Sequence, residues 1–457
     1  MKEQGMRSEE HATFRQVFRS APADVDVESI RQAWLALPPA YRIDDRHLPL
    51  PVWARRGLTE DGEQAWRILR HDLDRATPTT PYCIYIHVPF CASRCGFCDC
   101  YSFALRRHRD RHIEGYLDLL AQEMDLWGGL RGLTGRPVST VHFGGGTPTF
   151  LGKIGFGRLV QGVKARFDTG PETEWALETT SSEFGPEMMA ALGEWGFTRL
   201  HIGVQSLEEG VRDAIGRRES AEVVLGKISR AVEAGWVVSV DLILGLPQQT
   251  LEGVVGDIRA LETAGVDGSS LYELQRSSRN RKFVARHGLV EQGRLTAYLL
   301  TQAASRLLAS LGYHKTLFNH FARERDANLY FTFPERGEDC LALGTIADGV
   351  FGDYHYRHPE YKAYGQQVTQ TSPGLQGGLR RTARESRLFP LEVALMSACL
   401  RPAQFHEVLG RERGERILNG WREVGLVEGR AGSDDLALTG NGSWFVARLV
   451  EETSAQR

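Results

Sequence analysis

The chain has 457 residues, 42% hydrophobic and 25% charged, with 55 Lys and Arg against 58 Asp and Glu for a net charge of -3. That is globular composition, with apolar material for one large domain of about 250 residues and smaller additions. The near-neutral balance excludes a protein drawn as a whole to nucleic acid or anionic membrane, and no apolar run reaches the about 18–20 residues of a membrane helix.

Residues 1–80 are rich in charge, Arg and Pro, with amphipathic stretches such as 27–37, and read as an N-terminal extension packed on the main domain. The first residues, MKEQGMRSEEHATF, are polar and lack an apolar signal core, so a cytoplasmic location is expected. From Tyr82 short apolar runs read as buried strands at 83–88, 139–143, 174–178, 199–204, 237–244 and 268–274. Helical periodicity fills the gaps at 113–127, 156–167, 186–195, 221–234 and 251–264. Strands alternating with helices indicate βα units on a parallel sheet, an α/β fold whose chemistry sits at the carboxyl ends of the strands. A long helix is expected at 292–311, then irregular chain through 353–358. A separate tail follows at 390–450, with helical pieces at 391–398, 405–409 and 415–424 and a strand-turn signal at 426–438. That order resembles a small, mostly helical winged-helix-like module. With no basic stripe, its expected use is structural rather than DNA-binding. The expected division is 1–80, 81–330 and 331–457.

Seven cysteines, an odd number with five between Cys83 and Cys100, do not suit a disulfide framework and suggest a metal site. The decisive stretch is YIHVPFCASRCGFCDCYSF, with C-x3-C-x2-C at Cys91, Cys95 and Cys98 just after a strand. Three thiolates on one loop can hold a cubane cluster and leave one of its four irons open to chelate a small molecule. Structural zinc is the competing reading, but it takes four ligands, typically as two separated pairs, and the chain has no second C-x2-C pair. Cys100 stands either as a residue lining the site or as an inert filler. A glycine run, Gly144–Gly145–Gly146, ends the next strand and lets backbone approach a ligand where side chains would block it; it can equally just end the strand.

The cysteine loop and the run Gly144-Gly145-Gly146-Thr147-Pro148 resemble the radical S-adenosylmethionine (SAM) superfamily. Tyr85-Ile86-His87-Val88-Pro89-Phe90-Cys91, Gly203-Val204-Gln205-Ser206 and Asp241-Leu242-Ile243-Leu244-Gly245-Leu246-Pro247 narrow the resemblance to its oxygen-independent coproporphyrinogen III oxidase-like family, over about residues 80–350. The resemblance implies an incomplete parallel (β/α)6 barrel, a 4Fe–4S cluster on Cys91, Cys95 and Cys98, and SAM as co-substrate. It assigns Tyr85, Phe97, Gly145, Gly146, Thr147, Glu178, Gln205, Arg217 and Asp241 to cofactor binding. Of these, Gly146, Thr147, Gln205, Arg217 and Asp241 match a second SAM site. Arg218 beside Arg217 leaves open which guanidinium points inward. Tyr85, Cys100 and His320 are the candidate catalytic residues, with His320 equally readable as a core histidine. The resemblance also implies a small planar or tetrapyrrole-like substrate and an electron donor such as flavodoxin or ferredoxin. It leaves room for a separate methyltransferase partner and implies neither nucleic acid nor membrane.

Departures from the oxidase bear on the substrate. The segment 41–55, YRIDDRHLPLPVWAR, does not match the Tyr- and Pro-rich cover over its porphyrinogen, and Glu178-Thr179-Thr180-Ser181-Ser182 replaces a common strand end. The Tyr272–Gln275 turn and Asp348 also differ, and 265–274 and 341–349 look closer to methyl-transferring and haem-degrading branches. The expected activity is therefore transfer of a SAM-derived carbon to an unsaturated sp2 carbon, as C-methylation or cyclopropanation. Coproporphyrinogen decarboxylation, radical haem opening and a non-catalytic haem carrier are the rivals.

Overall fold

The structure, a computed structural model, describes residues 2–43, 49–106, 111–275 and 277–455. Six strands form its centre: β1 (Tyr82–Val88), β2 (Val138–Gly145), β3 (Glu174–Thr179), β4 (Arg199–Gln205), β5 (Val237–Leu244) and β6 (Gly268–Glu273). Each pairs in parallel with the next. The crossovers carry α1 (Arg111–Gly128), α2 (Gly152–Lys164), α3 (Pro186–Trp195), α4 (Ala221–Glu233) and α5 (Leu251–Thr263). This is the expected incomplete (β/α)6 barrel, with strand bounds within two residues of those read from sequence.

Alternation along the strands separates two faces. Ile86, Phe143, Leu177, Leu200 and Val238 lie in register from β1 to β5 and are fully buried in the main apolar core. The opposite, concave face is polar: Tyr85 pairs with His142, Glu178 with His201, and Asp241 with Ser270. A small barrel filled only by its own core carries branched apolar side chains there; here histidines, acids and a tyrosine face inward.

The sheet does not stop at residue 330. After α6 (Ser278–Arg286) and α7 (Arg294–Ser310), β7 (His320–Ala322) pairs antiparallel with β6. A short helix, α8 (Leu329–Thr332), follows. The chain then crosses to the other edge, where β8 (Asp339–Leu343) lies parallel to β1. Beyond it β9 (Asp348–Phe351), β10 (Tyr354–Arg357) and β11 (Gly377–Arg380) extend the sheet antiparallel, and Glu60–Asp61 caps β11. The irregular chain expected through 353–358 is thus largely a strand, and the 330/331 boundary cuts between strands of one 13-stranded sheet. These strands are only four or five residues long, too short to register as apolar runs.

The tail has the expected order. Helices α9 (Ala383–Met396), α10 (Pro402–Leu409) and α11 (Arg411–Glu423) precede β12 (Val427–Gly429) and β13 (Leu436–Leu438), which form a small antiparallel sheet with Cys399–Leu400. The N-terminal extension joins it to the barrel: the Tyr41 hydroxyl donates to Glu452, and Trp34 packs on Tyr298 of α7 at 4.7 Å. Among the described residues no helix is long and apolar enough to cross a membrane.

Candidate active site

The cysteine loop leaves the carboxyl end of β1, at the end of the barrel where βα loops gather. Its floor is a small apolar cluster of Val211, Ile215, Leu246 and Leu274, with Phe97 of the loop packed on it. The Gly96 amide donates to the Ile215 carbonyl. Cys91, Cys95, Cys98 and Cys100 are all free thiols. Burial raises Cys91 and Cys95, whereas a hydrogen bond from Cys100 draws Cys98 down to about 6 and raises Cys100 itself. Among the described residues no three His, Cys, Asp or Glu side chains converge on a single metal ion. A cubane does not ask for that, because each cysteine binds its own iron.

The glycine run closes against this loop. The Gly146 amide donates to the Val88 carbonyl and that of Thr147 to Phe90, and the Thr147 hydroxyl lies 3.5 Å from Cys91 Sγ. A Cβ on Gly146 would stand 3.0 Å from that sulfur and 2.7 Å from the Phe90 oxygen. At Gly145, with φ +108°, a Cβ would meet the His87 ring at 2.7 Å, and at Gly144 it would meet Glu178 and Tyr85 within 2.9 Å. All three positions therefore need glycine, and they leave a cradle of bare backbone beside the cysteines.

Below the cradle the concave face carries a hydrogen-bonded set. The Tyr85 hydroxyl donates to His87 Nδ1 at 3.0 Å, and His87 Nε2 donates to the Tyr101 carbonyl at 3.3 Å, which fixes the tautomer. Burial holds the His87 imidazole near 4, hence neutral. Glu178 accepts from His142 Nε2 at 3.0 Å and from the Gly145 amide at 3.2 Å. Burial works against its ionised form, but these partners outweigh it and lower the pKa. His201 Nε2 lies 2.5 Å from Asp241. Burial disfavours the imidazolium, yet the carboxylate prevails and raises its pKa. Nδ1 of both His142 and His201, Oε1 of Gln205 and Nε of Arg217 are buried with no hydrogen-bond partner. Buried polar atoms are rarely left so unless a ligand completes them. Gln205 also holds a left-handed backbone, φ 70°, a strain of roughly 1–2 kcal/mol that gathers at functional sites.

Arg217, not Arg218, is the inward guanidinium: it lies over the Phe97 ring at 5.5 Å, while Arg218 is exposed. His320 is committed at both ring nitrogens, Nδ1 to Ser270 Oγ at 2.8 Å and Nε2 to Asp326 at 2.9 Å, and Asp326 in turn pairs with Arg199 at 2.5 Å. That buried set favours the core reading of His320 and leaves it no free nitrogen for catalysis. Sequence reasoning did not single out His87, His142, His201 or Tyr330. His87 sits inside a quoted motif, His142 stands two residues before the glycine run, and His201 could have been found by its alternation with Arg199 and Gly203. Tyr330 gives no such signal, since it comes from α8 far along the chain to stack on His142 at 4.4 Å and Tyr85 at 5.0 Å.

Past Tyr330 the concave face continues over β9–β11 as a cavity of about 440 Å3. Its walls include Trp53, Leu317, Phe331, Val350, Leu379 and Phe389. Phe331 reaches from it to the His142 ring at 5.9 Å, so α8 separates cavity from cradle. His355, stacked on Trp53 at 4.5 Å and kept neutral by burial with a pKa of about 3, has a buried Nε2 without a partner. Of the segment 41–55 expected to differ from a substrate cover, Leu50, Pro51, Trp53 and Ala54 line this cavity, and residues 44–48 lie outside the described residues.

Three unpaired thiols on one loop, a backbone cradle against Cys91 and orphaned polar atoms below fit a cubane with an open iron and a chelating small molecule. Residues 85–261 match the Radical SAM superfamily. The chain is 29% identical over 328 residues to the oxygen-independent coproporphyrinogen III oxidase of Escherichia coli strain K12, covering 67% of this chain and 69% of that protein. It is 24% identical over 433 residues to anaerobilin synthase of Escherichia coli O157:H7, 91% and 94% of the two chains. It is 32% identical over 198 residues to the heme chaperone HemW of Mycobacterium tuberculosis, 43% and 50%. The solved coproporphyrinogen III oxidase of Escherichia coli, described as a radical SAM enzyme, superposes with a TM-score of 0.74 over 90% of this chain and 100% of that one, at 22% identity, and so shares the fold. Such a domain works with a 4Fe–4S cluster and SAM, and this chain carries a radical SAM domain with homology to the oxygen-independent coproporphyrinogen III oxidase-like proteins.

Proposed function

We propose that this enzyme transfers a SAM-derived carbon to an unsaturated sp2 carbon of a planar, weakly charged substrate. The cavity beyond α8 carries the reading. Its volume suits a small molecule and its walls are aromatic and aliphatic. Its lining holds three carboxylates, Glu335, Asp348 and Glu392, against one guanidinium, Arg357, which Asp348 already engages at 2.6 and 2.7 Å. Such a lining opposes a substrate with four propionates and supports one with a single polar handle, which His355 Nε2 can meet.

Cys91, Cys95 and Cys98 hold the cluster in this reading, and the Gly144–Gly146 backbone approaches the methionine end of SAM. When bound, cluster and SAM together supply a 5′-deoxyadenosyl radical, and a second SAM is the carbon source. The chain's own residues bind and orient. Arg217 offers its unpartnered Nε to a carboxylate. Gln205 and the free nitrogens of His142 and His201 take the remaining polar groups. The hydrogen bond of Tyr85 to His87 keeps the ring upright beside Gly144, and α8 keeps water from passing between cradle and cavity.

Oxidative decarboxylation of coproporphyrinogen is the second reading, favoured by the names of the relatives. Methyl-deuterated SAM separates the two. Carbon transfer puts deuterium in both deoxyadenosine and product and releases S-adenosylhomocysteine. Decarboxylation puts deuterium in neither, and that result would overturn the proposal.

A further inference from the structure

Helix α6 (Ser278–Arg286) lies directly on the cysteine loop. Its N-cap, Ser277, donates to Asp99 at 2.8 Å. The buried Asn280 amide donates to the Phe97 carbonyl at 3.1 Å, to Asp99 at 3.1 Å and to the Gln275 carbonyl at 2.7 Å. The Phe283 ring occupies the space where a Cβ on Gly96 would stand, 2.1 Å away. One face of the helix is therefore spent on holding the loop, and Arg279 reaches the Cys98 carbonyl at 3.3 Å.

The other face is strongly basic. In SRNRKFVAR there are four cations, Arg279, Arg281, Lys282 and Arg286, and no carboxylate, on a chain whose net charge is -3. All four are exposed, as are Arg94 on the cysteine loop and Arg218, the neighbour in sequence of the Arg217 that lies over Phe97 of that loop. Arg281 approaches Glu291 only at 4.0 Å. Like charges gathered on one short helix repel one another, so their use is to meet an outside partner.

We propose that the outer face of α6, with Arg94 and Arg218, is the docking surface for an acidic one-electron carrier protein that reduces the cluster. This rests on the assignment of the cluster to Cys91, Cys95 and Cys98. The geometry favours this occupant over other polyanions because the patch overlies the loop that must receive electrons, and Arg279 bridges the patch to the carbonyl of one of those cysteines. One electron leaves the reduced carrier, which is oxidised by one electron, and enters the cluster, which is reduced by one. No bond is made or broken in that step.

The test uses the anaerobically reconstituted enzyme and a flavodoxin hydroquinone, with cluster reduction followed by stopped flow. The double variant Arg281→Glu/Lys282→Glu reverses charge on the outer face without touching Arg279 or Asn280. At low salt its second-order rate constant with flavodoxin should fall at least about ten-fold, and its affinity for oxidised flavodoxin by calorimetry should fall in parallel. The difference should shrink in about 1 M salt, where the screening length is about 3 Å. Reduction by dithionite should be unchanged. Equal flavodoxin rates in variant and parent would overturn the proposal. So would a matching loss with dithionite, which would make α6 only a scaffold, or tighter retention of duplex DNA than of flavodoxin at the same salt. A parent protein that takes up no iron would instead remove the cluster assignment on which the proposal stands.

Discussion

Tyr330 stacks on Tyr85, ring centroids 5.0 Å apart and planes 15° apart, so a residue from α8 closes the barrel interior against its first strand. Tyr85 is tied through His87 to Tyr101 on the cysteine loop. The chain Tyr330–Tyr85–His87–Tyr101 thereby links the cavity side of α8 to the loop.

Removing that plug should uncouple the reaction. Tyr330→Ala leaves a void and a water path between cavity and cradle, at a stability cost of about 3 kcal/mol, typical of deleting a large aromatic. Cluster content should survive. Deoxyadenosine released per product formed should rise several-fold, measured by chromatography of single-turnover mixtures. An unchanged ratio would show that α8 does not gate the site.

The cysteines make separable predictions. Cys91→Ala, Cys95→Ala or Cys98→Ala should each abolish the cluster in reconstituted protein, read as iron and sulfide per chain and by electron paramagnetic resonance after reduction. Cys100→Ala should keep four irons, since Cys100 only donates a hydrogen bond to Cys98. Loss of iron in that variant would make Cys100 a ligand and close the open iron.

Much of this site is legible in the residues. The barrel strands show themselves as short apolar runs set between stretches of helical periodicity, and the cysteines and glycines stand at strand ends where ligand chemistry is expected. What stays hidden depends on distance along the chain. Tyr330 reaches Tyr85 across 245 residues of sequence, and the strands from Asp339 to Arg380 are too short and too rich in Tyr and Gly to announce themselves. His320 illustrates another limit: it stood equally as a catalytic candidate and a core histidine, and the choice falls to the partners that bind both its nitrogens, Ser270 on the neighbouring strand and Asp326 in the turn that follows.

His320→Ala should therefore act on stability. It removes the third member of the Asp326–Arg199 set, and losing a charge-assisted buried hydrogen bond costs about 1.5–3 kcal/mol. Urea unfolding should show that loss, while deoxyadenosine formation per folded, cluster-loaded chain should stay within about two-fold. A loss of many orders in turnover with stability intact would return His320 to the chemistry.

A buried pair behind the barrel gives a pH signature. His358 Nε2 lies 2.7 Å from Glu123, whose other oxygen accepts from the Tyr364 hydroxyl and the Gly344 amide; all three side chains are fully buried. Burial opposes the His358 imidazolium, but Glu123 prevails and its pKa is raised. A raised folded pKa contributes stability that is complete below the unfolded value of about 6.5 and is lost as pH climbs through the folded one. Glu123→Gln should cost about 3–5 kcal/mol near pH 6, and less at an alkaline pH above the raised folded value, where the parent gives up the imidazolium. Denaturant midpoints at the two pH values measure this, and a cost that does not shrink with rising pH would remove the ion pair from the account.

The cavity's charge can be tested apart from turnover. Trp53 stacks on His355 within its wall and should report binding through its fluorescence. A cavity with three carboxylates and a single, already engaged guanidinium disfavours added negative charge. Coproporphyrin III, a tetracarboxylate, should therefore bind at least about ten-fold more weakly than its tetramethyl ester, a difference of about 1.4 kcal/mol. Trp53→Phe should erase the signal and so place it at this wall. In Asp348→Asn, Arg357 loses the carboxylate charge and one of its two acceptor oxygens and faces the ligand with its charge uncompensated, so affinity for the acid should rise while that for the ester holds. If the parent instead preferred the tetracarboxylate, the cavity would be accepting propionates, and decarboxylation of a porphyrinogen would become the better account of this enzyme.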